Sequence, residues 1–527
     1  MAEKADTPTC CLTLPLVLEK WQEDRLTKRL EIGRVAYNTL LHVELKKLDA
    51  IKRKPEYQQI MQDGQNASTE KEKQAQRNKV YAFIKQYLRS STFDRDMKPI
   101  YKHYLNEKKK PVSIGSSVAV NCISKQVWAA FDKMLKEGTK VHFKKKGEMD
   151  SLRGAARSGQ SGGVEIIYRE SYIEWNGLKL RLKQSPSNAY EAEMLSRRVK
   201  YVRILRRAGK TKAHWYAQLS LEGIPAVKYH QNTGVLKHPV GHGVVGLDLG
   251  TRTLAYSAAG EANLIELADR VQNIEREKCL LQRKMDRSRR ATNPDNYKAD
   301  GTIKRGVKLT HHKSKRYQRI QSKLAYIQHR QAEIRKLQHT ELANHLLTLG
   351  DTFYIEKMDY RNFAKRAKTT EISEKTGRFK RKKRFGKSIA NKAPKTFVDI
   401  LQRKCTSLGL PGVIEVDTRI KASQYNHQTD TCTPKELNER WNDMPDGECI
   451  QRDLYSAFLL QHCQSGLAGY DYKTLQTIFG SAVEKIYDRE AIQKDYPQFL
   501  QYHHQTIQRL RQLKNTPSSM GIRRILG

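Results

Sequence analysis

Three acidic residues stand where carboxylates could act together on a metal. Asp248 ends an apolar run at residues 244–247, Glu356 ends a second run at 352–355, and Asp453 opens a helical pattern. Carboxylates at strand ends and at a helix start can converge above one edge of a sheet. Hard cations such as Mg²⁺ prefer oxygen ligands. Two such ions, about 3.5–4 Å apart, can activate water and stabilise the leaving oxygen of a phosphodiester.

Each of these residues also has a purely structural explanation. Asp248 near Gly250 suits a turn, Glu356 suits a surface salt bridge, and Asp453 in a first helical turn would be stabilised by the helix dipole. The order Asp, Glu, Asp in strand, strand and helix, inside a basic chain, favours the catalytic interpretation over three separate explanations.

The net charge of the chain indicates a polyanionic partner. Its 527 residues include 98 Lys and Arg and 56 Asp and Glu, which gives a formal net charge of +42. That surplus far exceeds the magnitude of about 2–8 suggested for small soluble domains. We therefore expect a nucleic acid, because phosphate neutralisation releases counterions. An anionic membrane surface and a simple role in solubility are the alternatives.

Composition and cysteine placement argue against several classes of protein. With 38% hydrophobic residues the chain is too apolar to be wholly disordered, and it has no run of 18 apolar residues to span a bilayer. Residues 1–21 lack a cationic stretch before their short apolar run, so we expect no secretory signal. The eight cysteines include no C-x-x-C pair, which favours a reducing cytoplasm over a disulfide framework.

The period of the apolar residues changes along the chain and predicts its organisation. A strand near residues 12–18 precedes helical spacing, and short alternating strands follow at about 141–221. A segment at 225–242, punctuated by Gly and Pro, reads as a linker. Apolar residues at 264–285 and 317–337 then recur at coiled-coil spacing, which predicts an antiparallel pair of helices.

Three segments resemble the RuvC motifs of the transposon-encoded TnpB nucleases and the type V CRISPR effectors. They are residues 245–255 (VGLDLGTRTLA), 353–359 (FYIEKMD) and 451–457 (QRDLYSA). Residues 415–424 (EVDTRIKASQ) resemble the segment that leads into the family's zinc ribbon. The likeness is specific over about 242–460 and looser in the N-terminal half. It does not separate a transposon nuclease from a CRISPR effector or from an intermediate between them.

The resemblance implies an RNA-guided DNA endonuclease. Asp248, Glu356 and Asp453 would be its catalytic and metal-binding residues and would hold two Mg²⁺ ions in one active site. The implied partners are a guide RNA and target double-stranded DNA, with no membrane, in a prokaryotic cytoplasm and in association with the nucleoid. The alternatives are a guide-free RuvC-like nuclease or transposase, and an RNA-guided DNA binder that does not cleave.

The implied fold is α+β and multidomain. A β-barrel-like wedge domain with an inserted helical recognition domain would precede an RNase H-like (RuvC) α/β domain. The expected boundaries in the N-terminal half are 1–18 and 139–224 for the wedge and 19–138 for the recognition domain, followed by the linker at 225–242. The RuvC domain is expected at 243–460 and would contain a helical hairpin at 264–345 and a degenerate zinc-ribbon-like loop at 425–450. A C-terminal helical segment would occupy 461–527.

The chain departs from the family pattern at the zinc ribbon. The family usually has four cysteines in two C-x-x-C pairs before the third acidic residue. Here that interval holds only Cys432 and Cys449, with His427 nearby. A tetrahedral zinc site needs four ligands, so we expect no bound zinc and a metal-free loop.

Basic side chains in three regions are the candidate nucleic-acid contacts. The run that includes Phe379 and Phe385 suits a single-stranded backbone with stacked bases, and a disordered loop is the alternative there. Basic residues of the β module suit guide-RNA or duplex phosphates. The candidates are Lys144, Lys145, Lys146, Arg197, Arg198, Arg203, Arg206, Arg207, Arg378, Lys380, Arg381, Lys382, Lys383, Arg384, Lys387 and Arg419.

Overall fold

The computed structural model divides the chain into two compact units, Met1–Val227 and Lys228–Gly527. The residues it describes are 7–64, 69–107, 114–115, 118–155, 166–185, 187–209, 212–230, 232–366, 369–373, 377–379, 385–436, 439–464, 466–467, 469–480 and 486–514. Within those ranges, no helix combines the length and the apolar character needed to cross a membrane.

The first unit is built on an antiparallel sheet. Its strands are β1 (Thr9–Val17), β2 (Ser151–Ala155), β3 (Ile167–Arg169), β4 (Tyr172–Trp175), β5 (Leu178–Leu182), β6 (Val199–Ala208) and β7 (Ala213–Glu222), in the order β2-β6-β7-β1-β5-β4-β3. The alternation in β5 shows why this sheet has one buried face, since every second residue is a buried leucine. The described edge strands, β2 and β3, do not pair with each other, so closure into a barrel stays a prediction.

The helices of the first unit share one hydrophobic core with this sheet. They are α1 (Lys20–Lys52), α2 (Pro55–Asp63), α3 (Glu70–Tyr87), α4 (Ser90–Glu107), α5 (Ser124–Glu137), preceded by a π-helical turn at Val118–Ile123, and α6 (Ala189–Leu195). Buried Arg29 joins α1 to the β4–β5 turn. Its guanidinium lies 4.6 Å from the Trp175 ring and donates to the carbonyls of Trp175 (2.6 Å) and Asn176 (2.7 Å).

The second unit contains a five-stranded mixed sheet. Its strands are β8 (Val244–Leu249), β9 (Thr253–Ala258), β10 (Glu261–Glu266), β11 (Thr352–Glu356) and β12 (Gly412–Val416), in the order β10-β9-β8-β11-β12. The strands β8, β11 and β12 are parallel, and β9 and β10 run antiparallel to their neighbours. The carboxyl ends of β8 and β11 therefore meet at the same edge of the sheet.

Helices cover both faces of this second sheet. They are α7 (Glu275–Thr292), α8 (Lys315–Leu349), α9 (Tyr360–Ala364), α10 (Gly386–Lys392), α11 (Pro394–Leu408), α12 (Arg452–Gln461), α13 (Tyr472–Phe479) and α14 (Arg489–Lys514). Buried residues of α8 and α11 pack on one face, and those of α12 and α14 pack on the other. Between β12 and α12 lie two short hairpins, formed by β13 (Tyr425–Asn426) with β14 (Thr431–Cys432) and by β15 (Trp441–Asp443) with β16 (Cys449–Gln451).

The prediction of a helix starting at residue 264 is wrong. Residues 261–266 form β10, which pairs along its whole length with β9, and the helix begins only at Glu275. The turn at 259–260 and the antiparallel pairing override the helical spacing of the apolar residues. The hairpin itself is present: Glu277 contacts Lys323 (3.5 Å) and Ser288 contacts Ser314 (2.8 Å), so α7 and α8 run antiparallel.

Candidate active site

The sheet places Asp248 and Glu356 side by side. Pairing between β8 and β11 runs from Val244 opposite Thr352 to Leu247 opposite Ile355. One step further in the same register, Asp248 and Glu356 are level with each other on strands about 4.8 Å apart. Residues level with each other on parallel strands project from the same face, so both carboxylates lie on the α12 side.

Gly246 brings α12 onto that same face. A Cβ atom on Gly246 would lie 2.0 Å from the Ala457 carbonyl oxygen and 2.4 Å from the Gln461 backbone nitrogen, so only glycine permits this approach. Gly246 precedes Asp248 by two residues, and Asp453 precedes Ala457 by one helical turn. Strand and helix periodicity therefore direct the carboxylates of Asp248 and Asp453 toward the same space between β8 and α12.

The three carboxylates influence one another electrostatically. The pKa of Asp248 is raised well above its usual range, first by burial and then by the charges of Asp453 and Glu356. Burial raises the pKa of Glu356 to about 7. Ionising all of them together is therefore unfavourable without a compensating cation.

Two guanidinium groups compensate one of the carboxylates. Arg452 lies 3.2 Å from Asp453 Oδ1, and Arg440 lies 3.5 Å from Asp453 Oδ2. The Arg440 backbone also accepts from the Arg452 amide at 2.9 Å, which fixes both arginines at the start of α12. The Ser456 side chain, one turn along the helix, is buried beside Asp248 and acts to lower the pKa of that carboxyl, against the larger effect of burial.

The carboxylate oxygens of Asp248, Glu356 and Asp453 are donors that suit a hard cation, but they do not by themselves form a complete coordination shell. Within the described ranges, no three carboxylate, imidazole or thiol groups lie close enough to form a complete metal site. Asp453 directs its oxygens to the two arginines, so a cation at this edge would take over one of those contacts. Carboxylate oxygens and mutual repulsion between acidic groups match Mg²⁺, which uses a few carboxylates and fills its shell with water or phosphate oxygens.

The shifted pKa of Glu356 predicts how stability depends on pH. The folded protein holds this proton more tightly than the unfolded chain, so the metal-free protein should lose stability as pH rises from about 4.5 to about 7. Thermal unfolding in EDTA across that range should show the loss in the wild type and a smaller loss in Glu356→Gln. The half-exposed Glu277 provides the control variant, Glu277→Gln. Identical pH profiles for the wild type and Glu356→Gln would contradict the assigned environment.

The interval expected to be a degenerate zinc ribbon is a pair of hairpins. His427 is buried, and its Nδ1 lies 2.7 Å from the Tyr455 hydroxyl. Burial lowers the pKa of His427 to about 4. Cys432 pairs with Tyr425 across the first hairpin, while Cys449 is exposed on the second. The absence of bound zinc stays a prediction.

Three of the five basic candidates in β6 and the segment before it are already paired with carboxylates. Arg197 contacts Glu193 (3.2 Å), Arg198 contacts Glu222 (3.4 Å) and Arg206 contacts Asp150 (3.0 Å). These pairs reduce the charge that the three arginines can offer to phosphate.

Lys144, Lys145 and Lys146 lie in the loop that follows α5. The Lys144 backbone exchanges hydrogen bonds with the Asn38 side chain, at 2.8 and 2.9 Å. The Lys144 ammonium lies 4.8 Å from the Tyr37 ring, so this lysine is held against α1. Lys145 and Lys146 are exposed, which leaves two ammonium groups facing solvent.

Alternation in β2 and β6 creates a basic sheet face, made of Arg153, Arg203 and Arg207. Arg153 is directly opposite Arg203 and lies 4.7 Å from the Tyr201 ring, and Arg207 lies 4.9 Å from the Tyr216 ring. Intervening residues of β6 are buried on the other face. Like charges opposite each other destabilise a sheet, so this face is suited to an anion.

The basic run after Glu356 is only partly described. Lys380, Arg381, Lys382, Lys383 and Arg384 lie outside the described residues, as does the side chain of Lys387. Arg378 is exposed, and the adjacent Phe379 is 73% exposed. The exposed aromatic ring beside a cation fits a single-stranded nucleic acid, and the role of the run stays a prediction.

Arg419 is held by its own segment. It contacts Asp417 through Nε (2.9 Å) and Nη2 (2.6 Å) and lies 4.7 Å from the Tyr472 ring. The guanidinium keeps the pKa of Asp417 well below its usual range. This geometry favours a structural role that links β12 to α13.

Sequence reasoning missed three residues of the site: Gly246, Arg440 and Ser456. Gly246 and Ser456 lie inside the quoted motifs. Gly246 is two residues before Asp248 on the same face of β8, and Ser456 lies on α12, which packs against that face. Arg440 gives no such signal, because the β15–β16 hairpin alone brings it to Asp453.

Comparisons with known proteins give only structural similarities with low scores. No protein-family model and no curated protein sequence matches it. It is similar to a cryo-EM structure of a Cas12f1–sgRNA–target DNA complex, with a TM-score of 0.42 and 12% identity over 86% of this chain and 98% of that one. A CRISPR-Cas12f ternary complex gives a TM-score of 0.24 and 13% identity over 84% and 82%. Likenesses with such low TM-scores do not decide the function, which depends on the site itself.

Proposed function

We propose that the chain is an RNA-guided DNA endonuclease whose second unit carries an RNase H-like (RuvC) nuclease domain. The domain boundaries are those expected from the sequence, except that the helical hairpin begins at Glu275. One observation carries the nuclease assignment. Carboxylates from three separate segments, Asp248, Glu356 and Asp453, share a partly buried space at the carboxyl ends of β8 and β11. A sheet with three antiparallel strands followed by two parallel ones agrees with the RuvC-like motifs found there.

The three carboxylates would hold the two Mg²⁺ ions. Bound at such a site, the ions supply an activated water and stabilise the charge on the leaving 3′ oxygen. The raised pKa values of Asp248 and Glu356 support this role, because a cation relieves the repulsion that raises them. Arg440 and Arg452 hold Asp453 at the site and add positive charge where a phosphate would lie.

Guide RNA and target DNA are the proposed partners. The net charge of +42 and the basic sheet face support nucleic-acid binding. The resemblance of the RuvC-like segments to TnpB and type V effectors supports the RNA-guided form. In that form base pairing reads the target sequence, and the protein reads a short flanking motif and the backbone.

The decisive test begins with the purified full-length chain. Co-purified RNA is extracted and sequenced, a plasmid bearing the matching target is incubated with the complex, and cleavage is followed with Mg²⁺ or with EDTA. We expect RNA of defined sequence and Mg²⁺-dependent cutting of the matched plasmid alone. A control plasmid lacks the matching target. Cutting of the matched and the control plasmid after RNA removal would indicate a guide-free nuclease. Binding of the matched plasmid without cutting would indicate a silencing protein.

Nucleic-acid affinity should fall steeply with salt. A protein that neutralises about 6–10 phosphates loses roughly 10³–10⁵ in affinity between 50 and 200 mM salt. We expect a loss in this range when the RNA-loaded chain binds matched DNA, measured by fluorescence anisotropy. Affinity that stays flat over these concentrations would assign the positive charge to something other than phosphate contacts.

A further inference from the structure

A groove of about 530 Å³ lies between α14 and the β15–β16 hairpin. Trp441, Glu448 and Cys449 line it from the hairpin, and His504 and Arg511 are among the residues that line it from the helix. A contact of 3.0 Å between His504 Nε2 and Glu448 Oε2 ties the two walls together. None of these residues belongs to the carboxylate site.

One wall of the groove offers a cation. His504, Ile507, Gln508 and Arg511 follow one another at helical spacing, so they form a single face of α14. Arg511 is exposed, and no carboxylate of the described residues lies within 4.0 Å of it. Its guanidinium is therefore available to an anion that enters the groove.

His503 contributes a buried donor that lacks a partner. This residue is 1% exposed, and its Nε2 accepts a hydrogen bond of 3.0 Å from the Gln451 backbone amide. Burial lowers the pKa of His503 to about 4, so the ring is neutral and its proton sits on Nδ1. Among the described residues Nδ1 has no hydrogen-bond partner. Leaving such a donor unpaired is unfavourable, but Nδ1 itself is enclosed, so the ring serves as a fixed support for the groove wall.

The groove also contains a large aromatic ring. Trp441 lines it, and its ring meets the edge of the His503 ring with centroids 6.4 Å apart and planes at 85°. An indole wall and an exposed guanidinium together match a flat heterocycle that is linked to a phosphate.

We propose that this groove binds one unpaired nucleotide of a single-stranded nucleic acid. The base stacks on Trp441, and its phosphate contacts Arg511. The proposal rests on the proposed function, since it gives the nuclease a subsite for its single-stranded substrate or for its RNA.

The groove adjoins the carboxylate site through the β15–β16 hairpin. Trp441 pairs with Gln451, which caps α12 two residues before Asp453. Arg440, next to Trp441, contacts Asp453 at 3.5 Å. A nucleotide bound in the groove thus lies close to the carboxylates, where it can fix the strand that enters the site.

Photocrosslinking can test the placement directly. The full-length chain, with its co-purified RNA and in EDTA, is mixed with hexanucleotides that contain 5-iodouracil, in one arm as DNA and in the other as RNA. We expect a crosslinked peptide that contains Trp441, and the arm that gives it identifies the source of the nucleotide. Crosslinks found only elsewhere on the chain would overturn the proposal.

Affinity measurements test the chemistry. The ligands are hexanucleotides of whichever nucleic acid, DNA or RNA, gives the crosslink. Stacking is worth roughly 1–3 kcal/mol per base, so a thymine hexanucleotide should bind about 5- to 150-fold more tightly than an abasic hexanucleotide. Trp441→Leu should reduce that ratio, whereas Arg511→Gln should weaken both ligands and leave the ratio unchanged. Trp21→Leu and Lys494→Gln are the matched controls, since Trp21 is exposed on α1 and Lys494 is exposed near the start of α14.

The outcomes separate this proposal from the nuclease assignment. The Trp441→Leu variant must still unfold cooperatively. If its ratio of thymine to abasic hexanucleotide affinity then equals that of the wild type, the proposed nucleotide site is wrong, whatever the cleavage assay shows. A crosslink at Trp441 together with a Trp441-dependent ratio supports the groove even if Mg²⁺-dependent cleavage fails, because neither measurement needs metal.

Discussion

Changing Asp248, Glu356 or Asp453 to the matching amide should lower cleavage of a matched plasmid by on the order of 10³-fold. Metal-ion catalysis supplies several kcal/mol of transition-state stabilisation, and each 1.36 kcal/mol is about tenfold in rate. The amides keep the shape of the side chains, so the amount of co-purified RNA should not change. Because burial and the charges of Asp453 and Glu356 disfavour the ionised form of Asp248, Asp248→Asn should also unfold at a temperature at least as high as the wild type in EDTA.

The control for this series is Asp399→Asn, on the exposed side of α11 beside Lys395 (3.5 Å). It removes one carboxylate from the same unit and should cut normally. Wild-type cleavage rates in all three site variants would show that the active site has been assigned to the wrong residues.

Gly246→Val should disrupt the second unit and its active site together. The added Cβ would lie 2.0 Å from the Ala457 carbonyl oxygen, and neither backbone can move without shifting α12. Overpacking of this kind typically destabilises by about 1–3 kcal/mol. We expect thermal unfolding at a temperature lower by several degrees, and cleavage that is impaired even where the chain remains folded, because Asp453 moves with the helix.

Gly260→Ala is the matched control, since a Cβ at that position meets no atom within 4 Å. It should leave both unfolding temperature and cleavage near the wild-type values. Equal behaviour of the Gly246 and Gly260 variants would mean that α12 does not need the close approach to β8.

Part of the fold follows from local sequence pattern alone. The strands that carry Asp248 and Glu356 are short apolar runs. Strand β11 ends at Glu356 as the pattern predicts, and β8 continues one residue past Asp248 to Leu249. Residues 261–266 escaped the same reasoning because Leu264 belongs at once to a helical spacing and to a strand alternation. Pairing with β9, which is a nonlocal interaction, decided between them.

The site was predictable where its residues lie within motifs and unpredictable where tertiary contacts supply them. The three carboxylates could be named because each lies near the end of a strand or the start of a helix of recognisable pattern. Arg440 could not, since it approaches Asp453 only after the β15–β16 hairpin closes. The groove beside Trp441 could not be foreseen either, because its second wall comes from α14, and no local pattern links His503 to the Gln451 amide.

The distribution of the three carboxylates along the chain has a consequence for protein synthesis. Asp453 is translated about a hundred residues after Glu356, which takes roughly 5–20 s at ordinary elongation rates of about 5–20 residues per second. Throughout that interval the nascent polypeptide on the ribosome already contains the strands of the basic sheet face, yet it lacks the helix that carries the third carboxylate. If the proposed function holds, each newly made molecule therefore passes through a stage at which its nucleic-acid-binding face is synthesised and its nuclease site is incomplete.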